Sequence, residues 1–270
     1  MLQSNLTARS GLIAQQQRMD VIANNIANIS TTGYKPARAD FKDMLYQTMV
    51  RPVQPQDGLN LQKGHGGLLG ATMRDFSQGS AQVTDDPLDV MLVGDAFLAI
   101  QDINGDTLYT RDGNFALSEE DGTNYLVTED GRYVLDVNGN RINLGPTEPS
   151  GIEIQTDASV WIVETVPATE TTPEETVRTQ VATLGLYTFM NRQGLEAASA
   201  NRFRETENSG AATAAAAGET QVRQGMLEAS KVDLAYEITQ MIRAQRSLSL
   251  SSRALQTADD MDGKANQLRA

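Results

Sequence analysis

Residues 3–30 read QSNLTARSGLIAQQQRMDVIANNIANIS and decide the fold at the N-terminal end of the chain. The stretch contains no proline, and its one glycine is Gly11. Apolar side chains form two interleaved rows with a repeat of seven, and Gln15 interrupts the second row. The spacing predicts an amphipathic helix with a coiled-coil-like seam that ends near residues 30–33. The first row is Leu12, Met19 and Ile26, and the second is Ala8, Ile22 and Ile29.

The C-terminal residues 230–270 carry a matching pattern. Ser230 and Asp233 are interpreted as the two ends of a capping box, with aspartate replacing the usual glutamate. A strict repeat of seven then predicts left-handed supercoiling against a partner helix. A single helix lying on its own domain is the alternative, but two such helices at opposite ends of one chain favour pairing. The large row is Leu234, Met241, Leu248 and Leu255, and the small row is Ala244, Ser251, Ala258 and Ala265.

The centre of the chain has a different periodicity. Asn-Gly or Asp-Gly pairs recur every eight or nine residues, and each pair supplies the positive φ that tight hairpin turns need. Apolar runs between and after them predict short antiparallel strands, and residues 167–176 and 209–219 are interpreted as solvated loops. The pairs begin at Asn104, Asp112, Asp121, Asp130 and Asn138. The predicted strands are 96–101, 107–111, 124–128, 133–136, 152–155, 160–166 and 183–191.

These patterns predict an α+β protein with paired terminal helices and a central antiparallel β-domain. Residues 1–33 form the N-terminal helix, 34–75 an extended connecting segment, 76–229 the β-domain and 230–270 the C-terminal helix. Within the connecting segment, residues 40–50 could form one or two helical turns, although the prolines and glycines of this region favour an irregular connection.

Composition excludes several classes of protein. The 270 residues contain no cysteine and one histidine, and the net charge is −13. Residues 81–230 carry 8 basic and 25 acidic side chains, whereas both ends are weakly basic. Such an acidic centre disfavours binding to nucleic acid or anionic lipid. Apolar runs stay below the roughly 18 residues of a transmembrane helix, and no cleavable signal peptide is expected, so direct membrane insertion is not predicted.

The candidate chemical motifs fail individually. Asp102, Asn104 and Asp106 alternate as in a calcium loop, but Thr107 and Gly113 occupy the positions that need glycine and glutamate. The glycine-rich stretch around His65 lacks the Lys-Ser/Thr of a phosphate loop, and no G-x-S-x-G motif occurs. No catalytic residue, metal ligand or cofactor site is therefore predicted, and the protein is not expected to be an enzyme.

Three blocks resemble the bacterial flagellar rod and hook protein family. Residues 19–35, MDVIANNIANISTTGYK, are similar to its N-terminal signature, and residues 77–100, SQGSAQVTDDPLDVMLVGDAFLAI, to its central region. Residues 225–261, GMLEASKVDLAYEITQMIRAQRSLSLSSRALQTADDM, are similar to its closing helix. Residues 39–52 and 186–206 look most like the distal rod branch, and the proximal rod paralogue of similar length is the alternative.

The resemblance implies a structural subunit that polymerises helically into the shaft carrying torque from motor to hook. An extracellular, non-enzymatic binding module is the less favoured alternative, because it gives the paired terminal helices no use. In the rod interpretation Asn24, Asn25 and Asn28 form hydrogen bonds at the helix end or between subunits. The expected interface residues are Leu12, Met19, Ile22, Asn24, Asn25, Ile26, Asn28, Leu234, Met241, Leu248 and Leu255.

The resemblance also implies partners and a location. The partners are further copies of the chain, other rod and hook subunits and the flagellar type III export apparatus, with basal-body ring proteins as additional candidates. The expected location is the periplasmic or cell-wall portion of the flagellar basal body, reached without cleavage of a signal peptide.

Overall fold

The computed structural model of the chain describes residues 2–48, 62–120, 122–146, 151–166, 175–199, 201–216 and 218–268. Two long helices, α1 (Leu2–Ala27) and α2 (Leu234–Gln267), lie near the two ends of the sequence. Of the helices in these ranges, none is both long and apolar enough to cross a membrane. The described strands lie between the two helices in the sequence and pair antiparallel, so the α+β class predicted from the sequence is confirmed.

The described strands pair antiparallel throughout. In chain order they are β1 (Ala37–Asp43), β2 (Gln47–Thr48), β3 (Gln62–Lys63), β4 (Gly67–Arg74), β5 (Ala81–Val83), β6 (Val90–Val93), β7 (Phe97–Gln101), β8 (Thr107–Thr110), β9 (Phe115–Glu120), β10 (Thr123–Thr128), β11 (Tyr133–Val134), β12 (Asn143–Gly145), β13 (Ile152–Ile154), β14 (Ser159–Val166), β15 (Glu175–Thr183), β16 (Leu186–Thr188), β17 (Glu196–Ala197), β18 (Arg202–Arg204), β19 (Thr213–Ala214), β20 (Gln221–Gln224) and β21 (Met226–Glu228).

The chain forms two compact units, each built from separate stretches of sequence. The helical unit comprises residues 1–27, 36–75 and 232–270, and the β unit comprises residues 28–35 and 76–231. Residues 28–35, which follow α1 directly, are therefore part of the β unit.

The core of the β unit lies on both faces of β7. Leu98 and Ile100 belong to a large aliphatic cluster, whereas Phe97 and Ala99 belong to a smaller, aromatic one. Successive side chains of a strand point to opposite faces, so a strand covered on both sides reads as a continuous apolar run. The aromatic cluster packs edge to face, with the ring centroids of Phe97 and Phe203 5.7 Å apart.

The main sheet has the strand order β12-β10-β11-β7-β8-β18-β17, with β9 on β10 and β16 on β7. Glycines 105, 122, 131 and 139 have positive φ, as the predicted turns require. The turn predicted at Asp112-Gly113 is wrong, because Gly113 does not have a positive φ. A Cβ at Gly113 would overlap the carbonyl oxygen of Val90, so this glycine permits a close approach of two backbones.

Two predictions for the later part of the β unit need correction. A single strand over 183–191 is wrong, because β15 ends at Thr183 and β16 covers only Leu186–Thr188. The predicted loop 209–219 contains β19, which pairs with β16. Of the predicted loop 167–176, residues 175–176 belong to β15 and 167–174 lie outside the described residues.

The helical unit contains a two-stranded ribbon, formed by β1 and β4, in the segment for which the sequence predicts an extended connection. Helical turns within residues 40–50 are wrong over the described residues, because 40–43 belong to β1, 47–48 belong to β2 and 44–46 connect the two strands without helical structure. The α1 helix ends at Ala27, earlier than the predicted end near residues 30–33.

The start of α2 also differs from the prediction. The carboxylate of Asp233 accepts hydrogen bonds from the backbone N–H groups of Ala235 (3.0 Å) and Tyr236 (3.2 Å). Asp233 is thus itself the N-cap, because its side chain satisfies N–H groups that lack partners within the helix. Ser230 lies one turn too early to cap a helix that begins at Leu234.

Candidate functional site

The helices α1 and α2 pack against each other within the helical unit. Ala14 and Ile22 of α1 and Ala244 of α2 are buried. The guanidinium of Arg18 donates a hydrogen bond of 2.9 Å to the side-chain oxygen of Gln240. This contact and the one between Asn25 and Glu237 show that the two helices run antiparallel, since the α1 number falls as the α2 number rises.

The structure divides the predicted interface residues into three groups by burial. Ile22 and Asn25 are buried within the helical unit. Asn24 and Leu234 are exposed, and Leu234 leaves 43% of its surface open. The rest are half-buried: Leu12, Met19, Ile26, Asn28, Met241, Leu248 and Leu255.

Asn25 links three elements of the helical unit. Its amide nitrogen donates to the carbonyl oxygen of Ala37 (2.8 Å) and to Glu237 Oε1 (2.9 Å). Its amide oxygen accepts from the backbone N–H of Ala37 at 2.9 Å. One side chain 1% exposed therefore ties the end of α1 to β1 and to the first turn of α2.

Glu237 is a site residue that the sequence patterns did not indicate. Burial raises the pKa of its carboxyl group, and the hydrogen bond from Asn25 opposes that shift. An acidic residue in the first turn of α2 also interacts favourably with the helix dipole. That position in the first turn was the one signal in the sequence that could have pointed to it.

Residues 28–35 make a second set of contacts within the β unit. The hydroxyl of Thr31 donates to the side-chain oxygen of Asn28 at 3.2 Å, so Asn28 stabilises the turn after the helix. Gly33 has a φ of +65°, and a Cβ there would lie 2.7 Å from the Arg111 carbonyl carbon. Tyr34 is 1% exposed. Residues 28–35, here called the anchor, thus pack into the β unit.

A polar cavity of about 440 Å³ adjoins this anchor inside the β unit. On its wall, Asp112 accepts hydrogen bonds from the Thr32 hydroxyl (2.6 Å), the Asn201 amide (2.8 Å) and the backbone N–H of Asn114 (3.2 Å). Burial raises the pKa of Asp112, and these three donors oppose the shift. The carboxyl group thus fixes the anchor to the strands around it.

A buried ion cluster holds the end of the anchor. Lys35 Nζ donates to Glu228 Oε1 at 2.6 Å and to the Ser77 carbonyl at 2.7 Å. Arg111 Nη1 donates to Glu228 Oε2 at 3.3 Å, and all three charged side chains are 1% exposed. Burial lowers the pKa of Arg111, and the Glu228 carboxylate opposes this shift. Lys35 and Glu228 both lie in the quoted family-like blocks, but nothing in the sequence marked them, or Arg111, as members of an ion cluster.

Acidic side chains line the polar cavity, in the part of the chain that the structure describes. Within those residues, no group of three or more His, Asp or Glu side chains could hold a metal ion. Two aspartates of the polar cavity already bind other protein groups: Asp112 accepts the three hydrogen bonds above, and Asp130 pairs with Arg132 and Arg202. These hydrogen bonds and ion pairs fix the positions of the chain segments around the polar cavity.

Three family models match the chain in the order in which the helices and strands occur. The model described as "Flagella basal body rod protein" matches residues 6–35, which cover most of α1 and the whole anchor. The "Flagellar hook protein FlgE/F/G D1 domain" matches 91–165 in the β unit. The "Flagellar basal body rod FlgEFG protein C-terminal" model matches 223–268, which includes α2.

Whole-length relatives agree with these matches. The chain is 38% identical to the flagellar basal-body rod protein FlgG of Caulobacter vibrioides over 100% of both chains. It belongs to the flagellar basal-body rod protein family. It is also 38% identical to FlgG of Borreliella burgdorferi over 100% of this chain and 99% of the relative, and 37% identical to FlgG of Bacillus subtilis over 97% of each. The predicted similarity to the distal rod branch of the family is confirmed.

Proposed function

We propose that this rod-family chain polymerises helically through its terminal helices, as a structural, non-catalytic subunit of the distal flagellar rod. The observation that carries the proposal is an apolar face on α2 that α1 leaves open. Leu234, Ile238 and Ile242 lie four residues apart and are each 43–45% exposed, whereas the opposing face at Ala244 is buried. A helix with apolar residues on more than one face needs more than one neighbour.

The helical pair itself is half of the proposed interface. We expect the α1–α2 packing to be coiled-coil-like, because Met241, Leu248 and Leu255 keep the repeat of seven and are all half-buried. In the single subunit these side chains remain partly exposed to solvent. Further subunits in a polymer would complete their burial, at roughly 25 cal/mol for each Å² of apolar surface removed from water.

Ile22 and Asn25 have a different role in this proposal from the one that the sequence suggests. Because both are buried inside the subunit, they shape the helical unit and do not themselves touch a neighbour. Leu234, with its exposed side chain, is the predicted residue best placed to contact another subunit.

The distribution of charge supports the same arrangement. The acidic residues concentrate in 81–230, and the terminal segments are weakly basic. Weakly charged helices can pack against copies of themselves, whereas acidic segments repel each other. We further propose the partners and place that the family resemblance implies: other rod and hook subunits, the type III export apparatus, basal-body ring proteins, and the periplasmic or cell-wall part of the basal body.

The test introduces a charge into the helical seam. Met241→Asp and Leu248→Asp each place an unpaired carboxylate in the assembled interface, which costs several kcal/mol. In cells that lack the native gene, we expect both variants to be produced but to give no distal rod in isolated basal bodies and no swimming. Met190→Asp is the matched control, because Met190 is 99% exposed in the β unit. Normal rods with either seam variant would overturn the proposal.

A further inference from the structure

An apolar groove runs along the helical unit between α1 and the β1–β4 ribbon, and none of the described residues fills it. Its volume is about 300 Å³, at the lower end of the range for binding pockets. Two of its side chains are open to solvent: Ile13 is 48% and Leu68 is 41% exposed. We call this surface the ribbon groove; its main lining residues are Ile13, Ala14, Gln17, Met44, Leu68 and Leu69.

The same unit carries a surface of the shape that such a groove accepts. Leu234, Ile238 and Ile242, here called the α2 stripe, follow one another at intervals of four on a continuous helix. Helix-in-groove recognition uses apolar anchors at this spacing. The stripe does not occupy the groove of its own chain, since all three of its side chains remain more than two-fifths exposed.

We infer that the ribbon groove receives the α2 stripe of a second copy of this chain. The inference rests on the proposed polymerisation and deepens it by naming the two surfaces that meet. Because groove and stripe are different surfaces, the contact is head-to-tail, and a head-to-tail contact that does not close generates an open helical polymer. Contact of stripe with stripe would instead give a closed dimer.

Charges at the two ends of each surface set the direction of the incoming helix. The ribbon runs along α1, because Ala37 is bonded to Asn25 and Gly66 lies beside Ser10. Lys42, opposite Leu68 in the ribbon, therefore lies toward the Ser10 end of the groove.

Asp20 lies three residues after Gln17, which is the last α1 residue that lines the groove. It is exposed and lies seven residues beyond Ile13 on the same face of α1. The α2 stripe begins beside Asp233 and leads to Arg246, and both of these residues are exposed. Opposite charges meet only when the incoming α2 runs parallel to the α1 that receives it, with Arg246 toward Asp20. Within one chain, α1 and α2 are antiparallel, so the two contacts of α2 are distinct.

The absence of cysteine from the sequence makes the contact directly testable by disulfide trapping. Leu68→Cys and Ile238→Cys are combined in one full-length chain and oxidised under conditions in which the native chain polymerises. We expect a ladder of linked dimers, trimers and longer species. Mixing the two single variants should give linked dimers only. The control pairs Ile238→Cys with Val137→Cys, which is exposed in the β unit, and should give no ladder.

Charge exchange tests the direction of the incoming helix. Asp20→Arg alone places like charges together and should raise the critical concentration for polymerisation at least about tenfold. Arg246→Asp alone should act similarly, because it places a second carboxylate against Asp20. The two changes combined in one chain restore a pair of opposite charges and should return assembly to near the native level.

Each other result overturns the inference. A link within one chain places the stripe in its own groove, and linked dimers of Ile238→Cys alone mean that stripe meets stripe. Polymers that form without a Leu68–Ile238 link reject the contact but leave the proposed function standing. A native chain that forms no polymer at any concentration rejects the proposed function and the inference with it.

Discussion

The β unit and the helical unit of this chain bury their apolar side chains to different degrees. In the β unit, Phe97, Leu98 and Ile100 are fully buried within its two apolar clusters. The buried ion cluster of the same unit contains paired charges of both signs. In the helical unit, the seam residues Met241 and Leu248 stay half-buried. The β unit therefore obtains its stability inside the chain, whereas in the proposed polymer neighbouring subunits would complete the core of the helical unit.

The largest expected effect is the removal of the carboxylate from the buried ion cluster. Glu228→Ala leaves Lys35 and Arg111 as uncompensated buried cations, and breaking such a cluster costs about 3–5 kcal/mol. Urea unfolding followed by the fluorescence of Trp161, the one tryptophan of the chain, measures the β unit.

Arg178→Ala is the matched control for that variant. Arg178 and Glu153 form an exposed pair at 3.7 Å in the β unit, so its removal should cost less than about 1 kcal/mol. Equal losses for Glu228→Ala and Arg178→Ala would mean that the buried cluster does not stabilise the β unit.

The same truncation in the two units compares their cores directly. Leu126→Ala empties a fully buried site in β10 and should cost about 2–5 kcal/mol. Leu248→Ala removes a half-buried side chain and should cost the isolated subunit less than that, measured by far-UV circular dichroism of the helices. We expect the cost of Leu248→Ala to increase in the polymer. If the two truncations were equally costly in the dilute subunit, the contrast between the units would fail.

A polar substitution tests the junction of α1, β1 and α2. Asn25→Ala removes the partner of the Ala37 backbone and of Glu237, and buried groups left without partners cost about 1–3 kcal/mol. The loss should appear in the helical signal and leave the Trp161 transition unchanged. Gln16→Ala, at an exposed position of α1, should stay within about 0.5 kcal/mol of the native chain.

The smallest expected effect is a gain of stability in the helical unit. Gly11→Ala replaces a glycine inside α1 around which no atom lies within 4 Å of an added Cβ. Alanine favours a helix interior over glycine by about 0.8–1.0 kcal/mol. Gly263→Ala, with equally open surroundings in α2, should behave alike. A loss of helicity in both variants would show that α1 and α2 are constrained by contacts other than those described.

Local pattern was sufficient to predict the helices and most of the turns. Apolar residues spaced seven apart predict a helix from the geometry of that helix alone. Asn-Gly and Asp-Gly pairs favour tight turns through the backbone conformation of just two residues. Both signals lie within a short stretch of sequence. Three blocks, including the signature at residues 19–35, identified the family, although they did not reveal that residues 28–35 pack into the β unit.

Tertiary structure decided which of these residues meet. Lys35 and Glu228 are 193 residues apart, and no local pattern marks either as the partner of the other. The Asp112-Gly113 pair resembles a turn in the sequence, yet Gly113 permits the close approach of the backbone carbonyl of Val90 in β6. Likewise, the sequence placed Leu234 and Ile22 in one interface, whereas packing buried Ile22 and left Leu234 open. Periodicity fixes which face of a helix is apolar, but only the packed chain determines which part of that face is already covered.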